Sequence, residues 1–252
     1  MEGKQVKCSL CLFKHREHQP DAQFSPPRIM DRNLGAMDIY YHGADGHYGD
    51  LYYQFGRKDP FSGDRKIYIR NEDGSYSFET WSTGTYTIPN TTADANCNNV
   101  PYSIKHPLTF IKSNAHDYWT YNDIYNPTAY NSAIRWQDPY VTSDSGKSMF
   151  DPCPAGWKVP KNGTWTGFTT SNFLWNNPLS IGRNDPISSA FYPAAGFLAN
   201  GGFSSIGQRC LYWNCSPYSA ASGFCSDSNS GGVQPTVSFD RAYAFSVRCV
   251  QE

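Results

Sequence analysis

The sequence contains few charged residues and no block of basic residues. Charged side chains make up 17% of the chain, and the formal net charge is −1. Nucleic acids and anionic membrane surfaces attract clustered Lys and Arg, so neither partner is predicted. No apolar run approaches the roughly 20 residues that span a bilayer, and the Met1 end lacks the apolar core of a secretory signal. Direct membrane insertion is therefore not predicted either.

Cysteine is too scarce for a disulfide-dense miniature scaffold, because the chain has 8 Cys in 252 residues. That number still allows a few disulfide bridges. By position the cysteines form four groups: Cys8 and Cys11; Cys97; Cys153 and Cys249; and Cys210, Cys215 and Cys225. The residues alone leave the pairing of Cys97, Cys210, Cys215 and Cys225 open.

Aromatic residues and turn residues, in contrast, are abundant. Aromatics reach 16% of the chain, with 18 Tyr and 7 Trp, beside 21 Gly and 17 Pro. This composition favours a loop-rich globular fold with little regular helix. Short apolar runs separated by turn residues predict antiparallel strands near the C-terminus. These runs are Phe197-Leu198, Leu211–Trp213, Val237–Phe239 and Phe245–Val250, with turns at Asn200–Gly202 and Ser216-Pro217.

The chain divides into an N-terminal tail, residues 1–28, and a domain, residues 29–252. Cys8, Cys11, His15 and His18 in the tail have a 3-4-3 spacing that suits one helix face. Zinc is one possible ligand for them, but the spacing is much shorter than in a usual zinc finger. We therefore predict a tail that is flexible or docked on a partner, and no cofactor. A polar insertion without sustained periodicity spans 62–145, with short hairpins at Lys66–Arg70 and Tyr76–Phe78.

Enzymatic activity is not predicted. The cluster with acid-base potential is His106, His116 and Asp117, and no Ser or Cys nucleophile motif accompanies it. Two alternatives stay open: Cys210 and Cys215 as a thiol pair, and the oxygen-rich run Ser226–Asn229 as a site for a hard cation.

Some polar and proline-rich positions are predicted to be structural. Arg32 and Arg57 lie among aromatic residues, where arginines hold loops by hydrogen bonds and stacking. The proline-flanked Cys153 precedes a short helix that we expect after Pro160.

Several dispersed motifs together resemble one known family. They are Met30–Ala36, Tyr53–Phe61, Cys153–Pro160, Ala195–Phe197, Tyr212-Trp213 and Ser246–Val250. This set is similar to the Fibrobacter major paralogous domain family, which is abundant in Bacteroidales surface proteins. The resemblance implies an α+β, C-type-lectin-like fold related to formylglycine-generating enzymes. Small antiparallel sheets, two short helices and extensive loops are expected, together with a Cys153–Cys249 disulfide.

A second resemblance concerns variable proteins diversified by retroelements, which place their variable residues on loops near the C-terminus of that fold. It implies a ligand-binding, mostly solvent-facing set here: Gln208, Arg209, Leu211, Tyr212, Asn214, Cys215, Ser216, Tyr218, Ser219, Phe224, Ser226 and Tyr243. Tyr and Trp offer large contacts at low entropy cost, and Ser and Asn offer adaptable hydrogen bonds.

The prediction is thus a non-catalytic protein that recognises a protein or glycan ligand at a cell surface or on a virion. One alternative is a structural surface or pilus-associated subunit. The other is a thiol or metal enzyme on a formylglycine-generating-like scaffold. The sequence does not define an oligomeric state.

Overall fold

The structure is a computed structural model of the chain. It describes residues 29–36, 51–63, 66–80, 82–84, 103–111, 147–171, 173–176, 180–183, 192–218 and 222–252. Some predictions concern residues outside these ranges: the tail of residues 1–28 with its Cys8, Cys11, His15 and His18 set, much of the 62–145 insertion, Cys97, His116, Asp117 and Ser219.

Strands dominate the described residues. They are β1 (Leu51–Gln54), β2 (Phe61–Ser62), β3 (Lys66–Arg70), β4 (Tyr76–Thr80), β5 (Ser82–Gly84), β6 (Thr109–Ile111), β7 (Trp157–Lys158), β8 (Phe173–Asn176), β9 (Ser180–Arg183), β10 (Tyr192–Pro193), β11 (Phe197–Ala199), β12 (Gly202–Ser204), β13 (Arg209–Pro217), β14 (Ser222–Asn229), β15 (Gly232–Asp240), β16 (Ala244–Phe245) and β17 (Val250–Gln251).

The largest sheet joins strands that are far apart in the sequence. Its order is β12-β11-β16-β1-β2, and its pairings are antiparallel. Tyr53 of β1 lies opposite Phe245 of β16. β11 and β12 form a tight hairpin whose turn residues Asn200 and Gly201 have φ values of 50° and 78°. Asn-Gly suits such a turn because both residues tolerate positive φ, so the turn predicted here is confirmed.

A second sheet consists of β13, β14 and β15 in sequence order, all antiparallel. Arg209 of β13 lies opposite Asn229 of β14, and Asn229 lies opposite Gly232 of β15. Ser230 and Gly231 form the turn between β14 and β15, where Asn229 Oδ1 accepts a hydrogen bond from the Gly231 N–H at 2.8 Å. The smaller sheets are β10-β9-β8, β17-β7, β3-β4 and the parallel pair β5-β6.

Residues near the two ends of the described chain meet in what we call the closure region. It comprises residues 29–34, the Cys153–Cys249 disulfide, the β7-β17 pair and Arg248. Ile29 bridges Val250, and the Met30 N–H donates to the Cys249 carbonyl at 2.9 Å. The predicted Cys153–Cys249 disulfide is confirmed. Because it links residues 96 positions apart, it stabilises the fold by about 4–5 kcal/mol in the chain-entropy model.

Arg248 connects this region from the inside. Its Nε donates to the Met30 carbonyl at 2.8 Å, and a terminal nitrogen donates to the Asp31 carbonyl. The guanidinium carbon lies 3.8 Å from the centroid of the Tyr192 ring. A buried arginine needs such acceptors, because an unsatisfied buried donor carries a desolvation cost.

The main hydrophobic cluster, which we call the central cluster, combines side chains of the closure region with side chains of β1, β13, β14 and β16. Trp213 is its largest member and is 0% exposed. Its ring stacks on Phe245 at 4.1 Å and meets Phe55 edge-on at 5.4 Å. The Trp213 Nε1–H donates to the Tyr53 carbonyl at 2.8 Å, so the indole is buried with its polar atom satisfied.

The predicted α+β, C-type-lectin-like fold with two short helices is wrong. The part of the chain that the structure describes is mostly β. It contains antiparallel sheets, including a curled half-barrel sheet, and one short helix. The helix expected after Pro160 forms as a single 3-10 turn, Thr164–Gly167. Gly163 with φ 90° precedes it and the extended residue Phe168 follows it. A glycine in the left-handed region and an extended residue cannot continue a helix, so the turn stays short.

Candidate functional site

The middle of β13 is buried and therefore does not offer a binding face. Leu211, Trp213 and Cys215 belong to the central cluster, whereas Cys210 and Tyr212 belong to a second cluster around Trp165. Because apolar side chains cover both faces of the strand, the expectation that its middle faces solvent is wrong. The predicted binding residues that are buried are Leu211, Tyr212, Asn214, Cys215 and Ser226.

Tyr212 and Asn214 have structural partners in this interior. The Tyr212 hydroxyl donates to the Pro193 carbonyl at 3.2 Å. Burial raises the pKa of Tyr212 well above its ordinary value, so the phenol stays neutral. Asn214 Oδ1 accepts a hydrogen bond from Trp165 Nε1 at 2.7 Å. Both side chains hold the second cluster together.

The thiols of Cys210, Cys215 and Cys225 are buried. Cys210 donates to the Tyr192 carbonyl at 3.3 Å, and burial raises the pKa of Cys225 well above its ordinary value. Cys210 and Cys215 lie in different clusters. The structure therefore does not bring them together as an exposed, reactive pair.

The other predicted residues lie mainly at the two ends of the β13–β14 pair. At one end, Gln208 is exposed and Arg209 is half-buried. At the other end, Tyr218 is 60% exposed and its ring meets the half-buried Phe224 at 5.2 Å.

Ser216 and Tyr243 are half-buried. Ser216 Oγ accepts a hydrogen bond from the Asn162 N–H at 3.0 Å. Tyr243 stacks on Phe197 at 5.6 Å. These contacts support neighbouring segments, so both side chains combine a structural role with partial exposure.

A cavity of about 420 Å³ opens at the Arg209 end of the sheet. We call it the Trp175 cleft. Its lining residues are Trp175, Gly207, Gln208, Arg209, Asn229 and Ser230.

The strands and turns of the sheets place these residues together. Arg209 and Asn229 are cross-strand partners, and Ser230 follows in the β14–β15 turn. The Gly207 N–H donates to the Ala194 carbonyl at 2.7 Å, which fixes the turn before β13. Trp175 comes from β8, where it lies opposite Ile181. The cleft is thus built on paired strands, which hold its side chains in defined positions.

Arg209 is held by an ion pair and by two aromatic rings. Its Nε donates to Asp227 Oδ1 at 3.1 Å, and a terminal nitrogen donates to Asp227 Oδ2. Its guanidinium carbon lies 5.0 Å from the Phe239 ring centroid and 5.9 Å from that of Phe197. The hydrogen bonds and negative charge of Asp227 raise the pKa of Arg209. The arginine is therefore charged, paired and oriented.

The oxygen-rich run Ser226–Asn229, considered as a cation site, lies within β14, and Ser226, Asp227 and Ser228 are buried. The Asp227 carboxylate pairs with Arg209 instead. Within the described ranges, no group of three or more His, Cys, Asp and Glu side chains is placed to hold a metal ion.

Arg57 holds a loop, as predicted. Arg57 donates to the carbonyls of Pro107 and Thr109 at 2.8 and 2.9 Å, and its guanidinium lies 4.7 Å from the Phe61 ring centroid. Burial lowers the pKa of Arg57 to about 10. Arg32 pairs with Asp31 at 2.9 Å. His106, the part of the acid-base cluster that the structure describes, is exposed.

Sequence reasoning missed Trp175 and Ser230 as lining residues, and it named Asn229 only as part of a possible cation site. Trp175 precedes two asparagines, and Ser230 precedes two glycines. Both local patterns indicate exposed turns. They do not show that Trp175 lies beside Ser230 in one cleft, because that depends on how the β8–β10 sheet packs beside β13.

Comparison with protein-family models, with curated proteins and with solved structures finds no match to this chain. Among the described residues, no helix is long and apolar enough to cross a membrane.

Proposed function

We propose that this chain is a non-catalytic recognition protein whose ligand, a glycan or a protein, binds at the Trp175 cleft. The cleft itself is the observation that carries the proposal. Its volume of about 420 Å³ lies within the roughly 300–1,000 Å³ range of small-ligand sites. Its lining combines one large aromatic side chain with amide, hydroxyl and guanidinium groups. Such groups bind by contact area and hydrogen bonds.

The buried residues reduce the number of positions that retroelement diversification could vary without disturbing the fold. Substitutions at Leu211, Tyr212, Asn214 or Cys215 would disturb packed or hydrogen-bonded positions. Diversity that preserves the fold would instead concentrate on the partly or fully exposed set, which is Gln208, Arg209, Ser216, Tyr218, Phe224 and Tyr243. A cell surface or a virion remains the proposed location. The relationship to the Fibrobacter major paralogous domain family remains a proposal that rests on the sequence motifs alone. The C-type-lectin-like fold is no longer part of that proposal.

A second candidate is a structural subunit that contacts a neighbouring protein through the Tyr218 end of the sheet. The exposed Tyr218 ring packed on Phe224 favours it, because exposed aromatic side chains commonly anchor protein contacts. The two candidates use opposite ends of β13 and β14, so they can be separated experimentally.

The test compares variants from both ends of the sheet on immobilised saccharides and immobilised cell-surface proteins. We expect Trp175→Ala and Gln208→Ala to weaken binding by about tenfold or more, and Tyr218→Ala to bind like the wild type. Loss of binding in Tyr218→Ala alone would instead support the structural subunit. Absence of any ligand, or binding that none of these variants changes, would contradict recognition at the cleft.

A further inference from the structure

We infer that the ligand of the Trp175 cleft is an uncharged saccharide, an inference that rests on the proposed recognition function. Three features of the described lining residues carry it: a cancelled charge, an excess of neutral hydrogen-bonding groups, and a single aromatic surface. Each of them discriminates between ligand classes.

The charge of the cleft is neutralised from within. Among the described residues of the lining, Arg209 is the one that carries a charge, and Asp227, which is only 5% exposed, pairs with it. The formal charges of the two groups cancel. The carboxylate occupies one of the two edges at which a guanidinium binds anions, the edge formed by Nε and one terminal nitrogen, so an incoming carboxylate, phosphate or sulfate would find only the other edge, on a cation whose charge is already balanced. An anionic ligand would also meet the negative charge of Asp227. The pair therefore disfavours acidic ligands.

The remaining polar groups suit hydroxyl-rich partners. The exposed Gln208 amide offers both a donor and an acceptor, and Ser230 offers an exposed hydroxyl. Asn229 Oδ1 is held by the Gly231 N–H, which leaves the NH2 group as the donor of this side chain. Arg209 retains N–H groups beyond the two that Asp227 takes. Sugar hydroxyls both donate and accept hydrogen bonds, so they match this mixed set.

Trp175 supplies the apolar part of the site. It is half-buried and packs against the second cluster, so its position is fixed before a ligand arrives. A sugar ring has an apolar C–H face and polar edges, and it can lie on an indole while its hydroxyls reach neighbouring amides. A purely apolar ligand would leave most of the lining unpaired, at the cost of its hydrogen bonds. A single aromatic surface among polar groups therefore favours a saccharide.

The experiment uses the full chain and an array of defined oligosaccharides. Neutral members contain glucose, mannose, galactose or N-acetylglucosamine, and acidic members contain uronate, sulfate or sialic acid. Dissociation constants are then measured in solution for each positive. We expect at least one neutral oligosaccharide to bind, Trp175→Ala to weaken this binding about tenfold or more, and high salt to leave it unchanged. The matched control Tyr218→Ala should bind like the wild type.

Asp227→Asn tests the charge argument directly, because it removes the carboxylate but keeps the shape. This variant should gain affinity for acidic oligosaccharides, with a salt dependence that the wild type lacks. Its folding is checked by thermal unfolding, and if it does not fold, the wild-type preference and Trp175→Ala decide the question. Preferential binding of acidic saccharides by the wild type would overturn the inference. If the ligand is a protein and Trp175→Ala abolishes its binding, the saccharide inference is wrong but recognition at the cleft stands. If neither a saccharide nor a protein binds, the saccharide inference and the proposed recognition function are both wrong.

Discussion

The closure region and the Trp175 cleft each contain an arginine over an aromatic ring, but the two arginines have different surroundings. Arg248 is fully buried, and main-chain carbonyls of Met30 and Asp31 accept its hydrogen bonds. Arg209 is partly exposed, and the Asp227 carboxylate accepts its hydrogen bonds. An arginine that donates to main-chain carbonyls of another segment stabilises the packing of the two segments. An arginine that pairs with a carboxylate at a cleft stays accessible to a ligand, while its charge is neutralised.

The comparison separates stability from binding within one molecule. Stability should depend on the closure region and the central cluster, which are buried and cross-linked. Binding should depend on the cleft, where side chains are positioned by strands but remain accessible. Substitutions in the two regions should therefore change different measurements.

The largest expected effect follows from removing the disulfide. The double variant Cys153→Ala with Cys249→Ala should lose about 4–5 kcal/mol of unfolding free energy, because the unfolded chain is no longer constrained by the loop. Guanidinium unfolding monitored by tryptophan fluorescence measures this loss. Where the variant is still folded, ligand binding at the cleft should stay within about twofold of the wild type. A small change in the unfolding midpoint, or a large loss of binding by folded protein, would contradict the assignment of stability to the closure region and of binding to the cleft.

Two tryptophans provide the next test. Trp213→Ala should cost about 3–5 kcal/mol, because it empties a fully packed position and leaves the Tyr53 carbonyl without its donor. Trp175→Ala should cost only about 1 kcal/mol, because Trp175 is half-buried. Urea unfolding of both variants measures the difference. Equal losses of stability would show that the cleft tryptophan is a core residue. The proposed separation of stabilising residues from binding residues would then be wrong.

Asp151 gives a smaller and pH-dependent effect within the closure region. Its carboxylate accepts the Cys153 and Val159 N–H groups at 2.8 and 2.9 Å, and burial raises its pKa to about 6. A raised folded-state pKa means that the contribution to stability is present below the ordinary pKa of about 4 and is lost as pH rises through 6. From pH 4 to pH 7 this loss approaches about 2–3 kcal/mol.

The variant Asp151→Asn removes this titration but also one hydrogen-bond acceptor. It should therefore have a flatter dependence of unfolding free energy on pH between 4 and 7. Denaturant unfolding at several pH values, compared between wild type and variant, isolates the contribution of this one carboxyl. Parallel curves for the two proteins would show that Asp151 does not titrate in this range.

Local patterns predicted several elements correctly. Lys66–Arg70 and the run beginning at Tyr76 alternate in strand fashion, and they pair as β3 and β4. The Asn200-Gly201 turn followed from residues that tolerate positive φ. In these cases the signal and the structure are both local, so the sequence was sufficient. The Cys153–Cys249 disulfide followed from the family resemblance and not from the spacing of the cysteines.

The errors arose where packing across the molecule decides the outcome. Tyr212 and Asn214 were assigned to the ligand-binding set by the resemblance to retroelement-diversified proteins, which place such residues on exposed loops. The structure buries them because clusters from other segments cover both faces of β13. Trp175 was missed for the same reason, since its partners in the cleft come from a different sheet. The resemblance implied two short helices, and the short helix expected after Pro160 is limited to a 3-10 turn by Gly163 and the extended Phe168.

The closure region also determines the order in which the chain can fold during synthesis. The Met30 carbonyl receives its hydrogen bond from a residue 218 positions later, and the Leu34 N–H donates to the carbonyl of Val247. At the usual rate of translation this later segment emerges on the order of ten to forty seconds after the first. During that interval Met30 and its neighbours cannot form these hydrogen bonds, because their partners have not yet been synthesised. The contacts of the closure region can therefore form only after the segment around residue 250 has been synthesised.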